Sequence, residues 1–278
     1  MAYMNNEALV AQENFLLPGL SVDNAEFTQE DLAEDRDGIQ LSLPRVKIPA
    51  GGALQFELPG TNPEDPDYAK TLEGVILYSH AAGAYWQEGE EYDENSAPLC
   101  SSVDGKNGIG SPGGTCATCP FNQFRSAADG KGKACKNMRN LYLLRSGEFM
   151  PLQVTLPPTS LRPYNEFYNL AFATRNRATY GSVVRFGLKR VDNGSNIYSV
   201  ATFDKLFDFT GEQLSQVKAV AATFREQIKM MLQQRAADAE DRREEELGSE
   251  GYRVVDEGED SFCITPDELN GEREALPA

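Results

Sequence analysis

Histidine is almost missing from this chain: His80 is the only one in 278 residues. A zinc-protease H-E-x-x-H site therefore cannot exist, and no Ser-His-Asp constellation stands out. A lone histidine at the end of an apolar run, as in Val75–His80, reads as structural. No G-x-x-x-x-G-K-[S/T] phosphate loop is present, and the Asp104–Gly108 and Asp129–Lys133 loops do not lead a strand into a helix as nucleotide cradles do. Carboxylates abound, but in acidic loops where no acid/base pair is singled out. The chain accordingly reads as a protein without catalytic activity. No apolar run of about 18 residues exists, which excludes a helical membrane span. Met1–Val10 lacks a basic region followed by an apolar stretch, so the expectation is a cytoplasmic protein in a reducing compartment.

Long apolar side chains are also scarce between Cys100 and Cys135, a segment with seven glycines from Gly105 to Gly132. It cannot fold on a core of its own. It does hold Cys100, Cys116, Cys119 and Cys135, four of the five cysteines, at the spacing C-x15-C-x2-C-x15-C. Two thiolates two residues apart can grip one tetrahedral ion, and the flanking pair can close the site. Four thiolates with no open position suit structural zinc, which would hold the loop (residues 98–138) in place of a core. An iron–sulfur cluster is the next reading of the same donors, and a redox C-x-x-C the third. Cys263, in an acidic tail, has no assigned role.

The net charge of −17 is unevenly spread. Residues 1–100 hold 4 Lys/Arg against 19 Asp/Glu, residues 101–200 hold 13 against 5, and residues 201–278 hold 9 against 19. The middle third is a basic island in an acidic chain, and a ligand responds to the local field.

Four regions follow. Residues 1–38 read as a solvated acidic arm, with a short helix or mobile stretch at Asn24–Gly38. Residues 39–210 read as a β-rich domain. Its strands are expected near 39–48, 53–58, 71–80, 140–145, 149–156, 180–190 and 197–203. A return strand is expected at Gly83–Trp86, and loops at Pro59–Asp67 and Glu88–Asn95. Asp192–Asn196 carries an Asn-Gly hairpin signal, and a helix is expected from Thr159 or Ser160, with Leu161, Tyr164, Tyr168 and Phe172 on one face. Residues 211–244 repeat Leu214, Val217, Ala221, Phe224, Ile228 and Met231 at helical spacing. That stripe predicts an amphipathic helix packed on its own sheet, or a homodimer contact. Residues 245–278 read as a disordered acidic tail.

The cations of the island are interleaved with rings, and this is what single-stranded nucleic acid requires: phosphates meet charges and bases stack on flat side chains. The candidate binding residues are Trp86, Lys106, Phe124, Arg125, Lys131, Lys133, Lys136, Arg139, Tyr142, Arg145, Arg175, Arg177, Tyr180 and Arg185. About half of the rings alternate with apolar positions and are expected in the core instead.

The four cysteines, the Lys131–Arg145 basic run and the acidic tail from Glu245 together resemble, in layout, single-stranded DNA-binding proteins of the OB-fold type, particularly those of phages and mobile elements. Some of that group carry a zinc module inserted in the barrel. The resemblance implies an OB-like barrel with an inserted zinc loop, a long C-terminal helix and an acidic tail. It implies a non-catalytic role in DNA replication, recombination or repair, with DNA favoured over RNA, a host-cell cytoplasmic location, and a tail that tunes affinity or recruits partner proteins. The chain ends Arg273-Glu-Ala-Leu-Pro-Ala278, without a recognisable tail-tip motif. A zinc-containing interaction module that regulates a nucleic-acid enzyme, its acidic face mimicking nucleic acid, is the alternative.

Overall fold

The computed structural model describes Phe15, Leu17 and residues 42–62, 64–86, 98–194 and 196–249, with side chains as far as Gln234. The chain divides into two compact units, Met1–Leu232 and Gln233–Ala278. The expected helix at Asn24–Gly38, the loop at Glu88–Asn95 and the tail from residue 250 onward lie outside the described residues.

The first unit is mixed α+β and strand-rich. Its strands are β1 (Arg45–Lys47), β2 (Phe56–Asn62), β3 (Asp65–Ala69), β4 (Leu72–Tyr85), β5 (Cys100–Ser102), β6 (Asn107–Gly110), β7 (Gly114–Thr115), β8 (Lys136–Leu144) and β9 (Leu152–Leu156). Helix α1 (Pro158–Ala171), β10 (Ser182–Asp192), β11 (Ile197–Asp208) and helix α2 (Gly211–Ser249) complete the order. From the second unit, the described residues are the part of α2 from Gln233 to Ser249.

Strand β4 is the centre. One edge pairs antiparallel with β8 from Val75 to Ala84. The other edge is shared: Leu72–Val75 pairs with β10 and Gly83–Tyr85 with β5. Beyond these, β8 pairs with β9, β9 with β1 in parallel, and β10 with β11. Strands β1 and β11 end this ladder, and no pairing among the described residues joins them. The sheet is therefore open, which corrects the expectation of an OB-like barrel. A barrel needs its terminal strands to hydrogen-bond, and their backbone edges here take no such partner.

Successive side chains of a strand point to opposite faces, and here both faces are covered. Leu72 and Ile76 of β4, Leu141 and Leu143 of β8, and Val184 and Phe186 of β10 pack with Tyr164 and Phe172 in one core. Val75 and Leu77, Leu144 and Val183 face the other way, onto Val217 and Ala221 of α2. The amphipathic stripe of α2 is thus satisfied by the chain's own sheet, with Val217, Ala221 and Ile228 buried. Phe15 and Leu17, within the stretch expected to be a solvated arm, pack on this second core, Phe15 edge-on to Phe209 at 5.7 Å.

Three local readings are corrected. Pro59–Asp67 is not a plain loop but lies largely in the β2–β3 ribbon, whose last pair is Asn62 with Asp65. Gly83–Trp86 is not a return strand reached across a small-residue turn: β4 runs from Leu72 through Ala81–Gly83 to Tyr85 as one strand of 14 residues. Ser160 does not cap α1, whose N-cap is Pro157 with Pro158 in the first turn. Ser160 is fully buried, and its Oγ accepts from the Ala201 amide at 3.0 Å, tying α1 to β11. The Asp192–Asn196 segment does connect a hairpin, β10–β11, and its Gly194 takes φ +84°, a conformation that favours glycine.

Candidate nucleic-acid interface and thiol cavity

The cysteine module spans β5 to the start of β8 and is held by polar bonds, since Ser102 and Ala134 are its only buried side chains. Asp104 shapes the β5–β6 turn. Its Oδ1 accepts from the amides of Lys106 at 2.7 Å and Asn107 at 3.0 Å, and from Ser102 Oγ at 3.2 Å. Burial alone would raise the Asp104 carboxyl, but these bonds more than offset it and hold it below its ordinary value. The Cys116–Cys119 knuckle is fastened at Cys116 through both its amide and its carbonyl. The Cys116 amide donates to Lys106 O at 2.7 Å, and Asn122 Nδ2 donates to Cys116 O at 2.7 Å. Ser126 Oγ donates to Phe121 O at 2.8 Å and accepts from the Ala134 amide at 3.0 Å. Phe121 stacks on Tyr85 of β4 at 4.4 Å, which anchors the module to the central strand.

Cys100, Cys116, Cys119 and Cys135 all line one cavity of about 20 Å³, together with Gly83, Tyr85 and Gly108. Burial, then the negative charge of the three neighbouring thiols, pushes the Cys135 thiol up, while Lys133 pulls the other way. Gly108 lies directly against the first of these thiols: a Cβ there would stand 2.9 Å from Cys100 Sγ. Among the described residues, no three His, Cys, Asp or Glu side chains are placed so as to hold a metal ion. Thiolate sulfur is a donor that zinc takes, and the four cysteines share the lining of one small cavity.

The candidate cations fall into two groups. Arg145 pairs with Glu148, Arg185 with Glu73 at 2.7 Å, and Arg177 with Asp208 at 3.2 Å. Arg177 also donates to Phe209 O at 2.7 Å, so it is a structural clamp between the end of β11 and the segment before β10. Burial would raise the Asp208 carboxyl, but hydrogen bonds from Lys205 and Ser182 and the Arg177 charge together hold it below its ordinary value. In contrast, Lys106, Arg125, Lys131, Lys133, Lys136 and Arg139 have no carboxylate partner among the described residues. All six lie on the cysteine module or the first half of β8. Lys133 and Lys136 reach neutral oxygens, those of Asn122 and Lys133, at 3.1 Å each. Arg139 is held by two bonds to Ser79 Oγ, at 3.0 and 3.3 Å, and lies 5.5 Å over the Tyr164 ring. Arg175, exposed past the end of α1 and away from the module, also has no carboxylate partner among the described residues and donates to Leu170 O at 3.4 Å.

The rings divide as well. Phe124 is 72% exposed, beside Arg125. Trp86 is half-buried directly after β4. Tyr180 is half-buried against the second core. Tyr142 is 1% exposed and cannot stack on a base. It stacks on Tyr78 and His80 and packs edge-on to Phe224 of α2. His80 Nδ1 lies 2.8 Å from Ala81 O, an acceptor only, so Nδ1 carries the proton and Nε2 accepts from Tyr142 Oη at 2.9 Å. Burial lowers the His80 pKa, in keeping with that neutral, structural role.

One feature escaped the sequence reading: a cleft of about 240 Å³ between the module, β4, β8 and α1, lined by Asn137, Arg139, Leu161 and Asn165 among others. No local motif could have shown it, because its walls come from four separate segments. No family model, no curated protein and no solved structure matches this chain.

Proposed function

We propose that the chain binds single-stranded nucleic acid, DNA in preference to RNA, without catalysing a reaction, in replication, recombination or repair. One observation carries this reading: residues 104–139 gather six cations that have no carboxylate partner among the described residues and hold only two acidic residues, Asp104 and Asp129, whereas Arg145, Arg177 and Arg185 are neutralised. A folded protein has no structural need to hold six uncompensated cations on one module, and phosphates are a ligand that repays it. Phe124 supplies a stacking face within the same module. Asp104 and Asp129 keep their charge while accepting from backbone amides, so residues 104–139, with six Lys/Arg against these two, remain positive.

The module has hardly any core to hold these side chains in place. We propose that Cys100, Cys116, Cys119 and Cys135 bind zinc as thiolates, a role their shared cavity supports. The ion would supply a cross-link and no reactive position. Titration of labelled oligo-dT at two salt concentrations, on the full chain and on one lacking residues 250–278, tests the function. Binding that falls steeply with salt is expected. Absence of binding at low salt in both proteins would overturn it and leave the protein-interaction reading.

A further inference from the structure

Resting on that strand-binding reading, we propose that the cleft between α1 and the cysteine module is a pocket for one nucleobase. Its volume of about 240 Å³ lies below the ~300–1,000 Å³ usual for drug-sized ligands and suits a single planar ring system with its sugar. The composition fits as well. Ala82 and Gly83 of β4 leave the floor open and apolar, and Met138 and Leu161 supply adaptable side walls.

Three asparagines and one arginine supply polar lining, and two of these side chains are uncommitted. Asn122 is already spent, donating to Cys116 O and accepting from Lys133 Nζ. The side-chain amides of Asn137 and Asn165 make no hydrogen bond among the described residues. Each offers a donor beside an acceptor, the pair that matches a base edge and that a phosphate or a lipid chain cannot use. Arg139 lines the same cleft and has no carboxylate partner. Ser79 and the Tyr164 ring hold its guanidinium in place, so it is preset for the phosphate of the nucleotide whose base enters. Cations spread over the module bind any strand, whereas this cleft discriminates among bases.

The test uses the full chain and compares short dA, dC and dT homopolymers, with free nucleoside monophosphates as a second set of probes. The wild type is expected to favour one homopolymer by on the order of tenfold, the scale of one bidentate amide–base contact. Asn165 is exposed on α1, so Asn165→Ala keeps the helix and the charge. It should cut that preference to within about twofold and leave the salt dependence intact. Leu161→Trp, which fills the cleft, should do the same. Equal affinity for all homopolymers in the wild type, or a preference that survives both variants, overturns the pocket while the strand-binding reading stands. If only free monophosphates bind, and Asn165→Ala abolishes that binding, the pocket stands and the strand-binding reading falls. If neither class of probe binds, both fall.

Discussion

Replacing Lys106, Arg125 and Lys131 together with alanine is the sharpest perturbation of the proposed interface. These three side chains are exposed and make no hydrogen bond or ion pair among the described residues, so their loss costs the fold nothing measurable. The magnitude follows from counterion release. On a single strand each phosphate neutralised contributes about −0.7 to the slope of log K against log salt. The six module cations give a slope of about −4, and affinity then falls by roughly 300-fold between 50 and 200 mM salt. The triple variant keeps three of the six, so its slope should be about −2 and its loss over the same interval roughly 20-fold. Fluorescence anisotropy with labelled oligo-dT across that salt range reads both numbers. Arg185→Ala is the control: its guanidinium already pairs with Glu73, so the slope should stay within about half a unit of the wild type. An unchanged slope in the triple variant, or an equal drop in Arg185→Ala, would refute the claim that unpaired cations mark the interface.

The remaining predictions concern the thiol cavity, the rings and the clamp. Cys116→Ser should lose bound zinc by atomic emission, and retained stoichiometric zinc would refute the four-thiolate assignment. Gly108→Ala, whose new Cβ would stand 2.9 Å from Cys100 Sγ, should weaken metal retention against a chelator, while Gly132→Ala, with open space around it, should not. Phe124→Ala should lower oligonucleotide affinity by about 1–3 kcal/mol, whereas Tyr142→Phe should leave affinity unchanged and cost roughly 1–2 kcal/mol of stability in urea melts, through the lost bond to buried His80. Asp208→Asn should cost about 1–3 kcal/mol at neutral pH, because Arg177 and Lys205 lose their shared carboxylate. The folded pKa of Asp208 is depressed, so its stabilisation is full above the ordinary carboxylate value and is lost as pH falls through the folded one; the gap between variant and wild type should therefore close on acidification.

Much of the sheet was legible because period-two patterning is local. The runs around Val75–Tyr78, Leu141–Leu144 and Val183–Phe186 are apolar on both parities, which is how strands covered on both faces read. Ala81–Gly83 misled because small residues also mark turns. Here they serve an extended strand whose neighbours crowd it: a Cβ on Gly105 would meet Ala81 Cβ at 2.6 Å, and one on Gly83 would lie 3.6 Å from Cys135 Sγ. Closure of a barrel depends on which distant edges meet, and no single segment encodes that. The site was legible as a list of residue types but not as a partition. Arg177 and Lys131 look alike in sequence, and only the fold brings Asp208 to one and leaves the other unopposed. Tyr142 follows the same logic: alternation says it alternates with buried leucines, and the approach of Phe224 on α2 shows that its own face is covered too.

That partition explains why β4 has unusual length. Its first half, Leu72–Tyr78, feeds both cores and fixes the strand by burial. Its second half, Ala81–Tyr85, no longer fills a core. It pairs with β5 and β8, stacks Tyr85 on Phe121, and lends Gly83 to the walls of both the thiol cavity and the larger cleft. A module with so little apolar content cannot generate its own rigidity, so it takes rigidity from a strand whose other end is locked in the sheet. Small side chains on that half are then required twice, once to let the module approach and once to leave the cleft open. A bulky residue at Gly83 or Ala82 would damage the proposed site while leaving the burial that holds the fold together untouched.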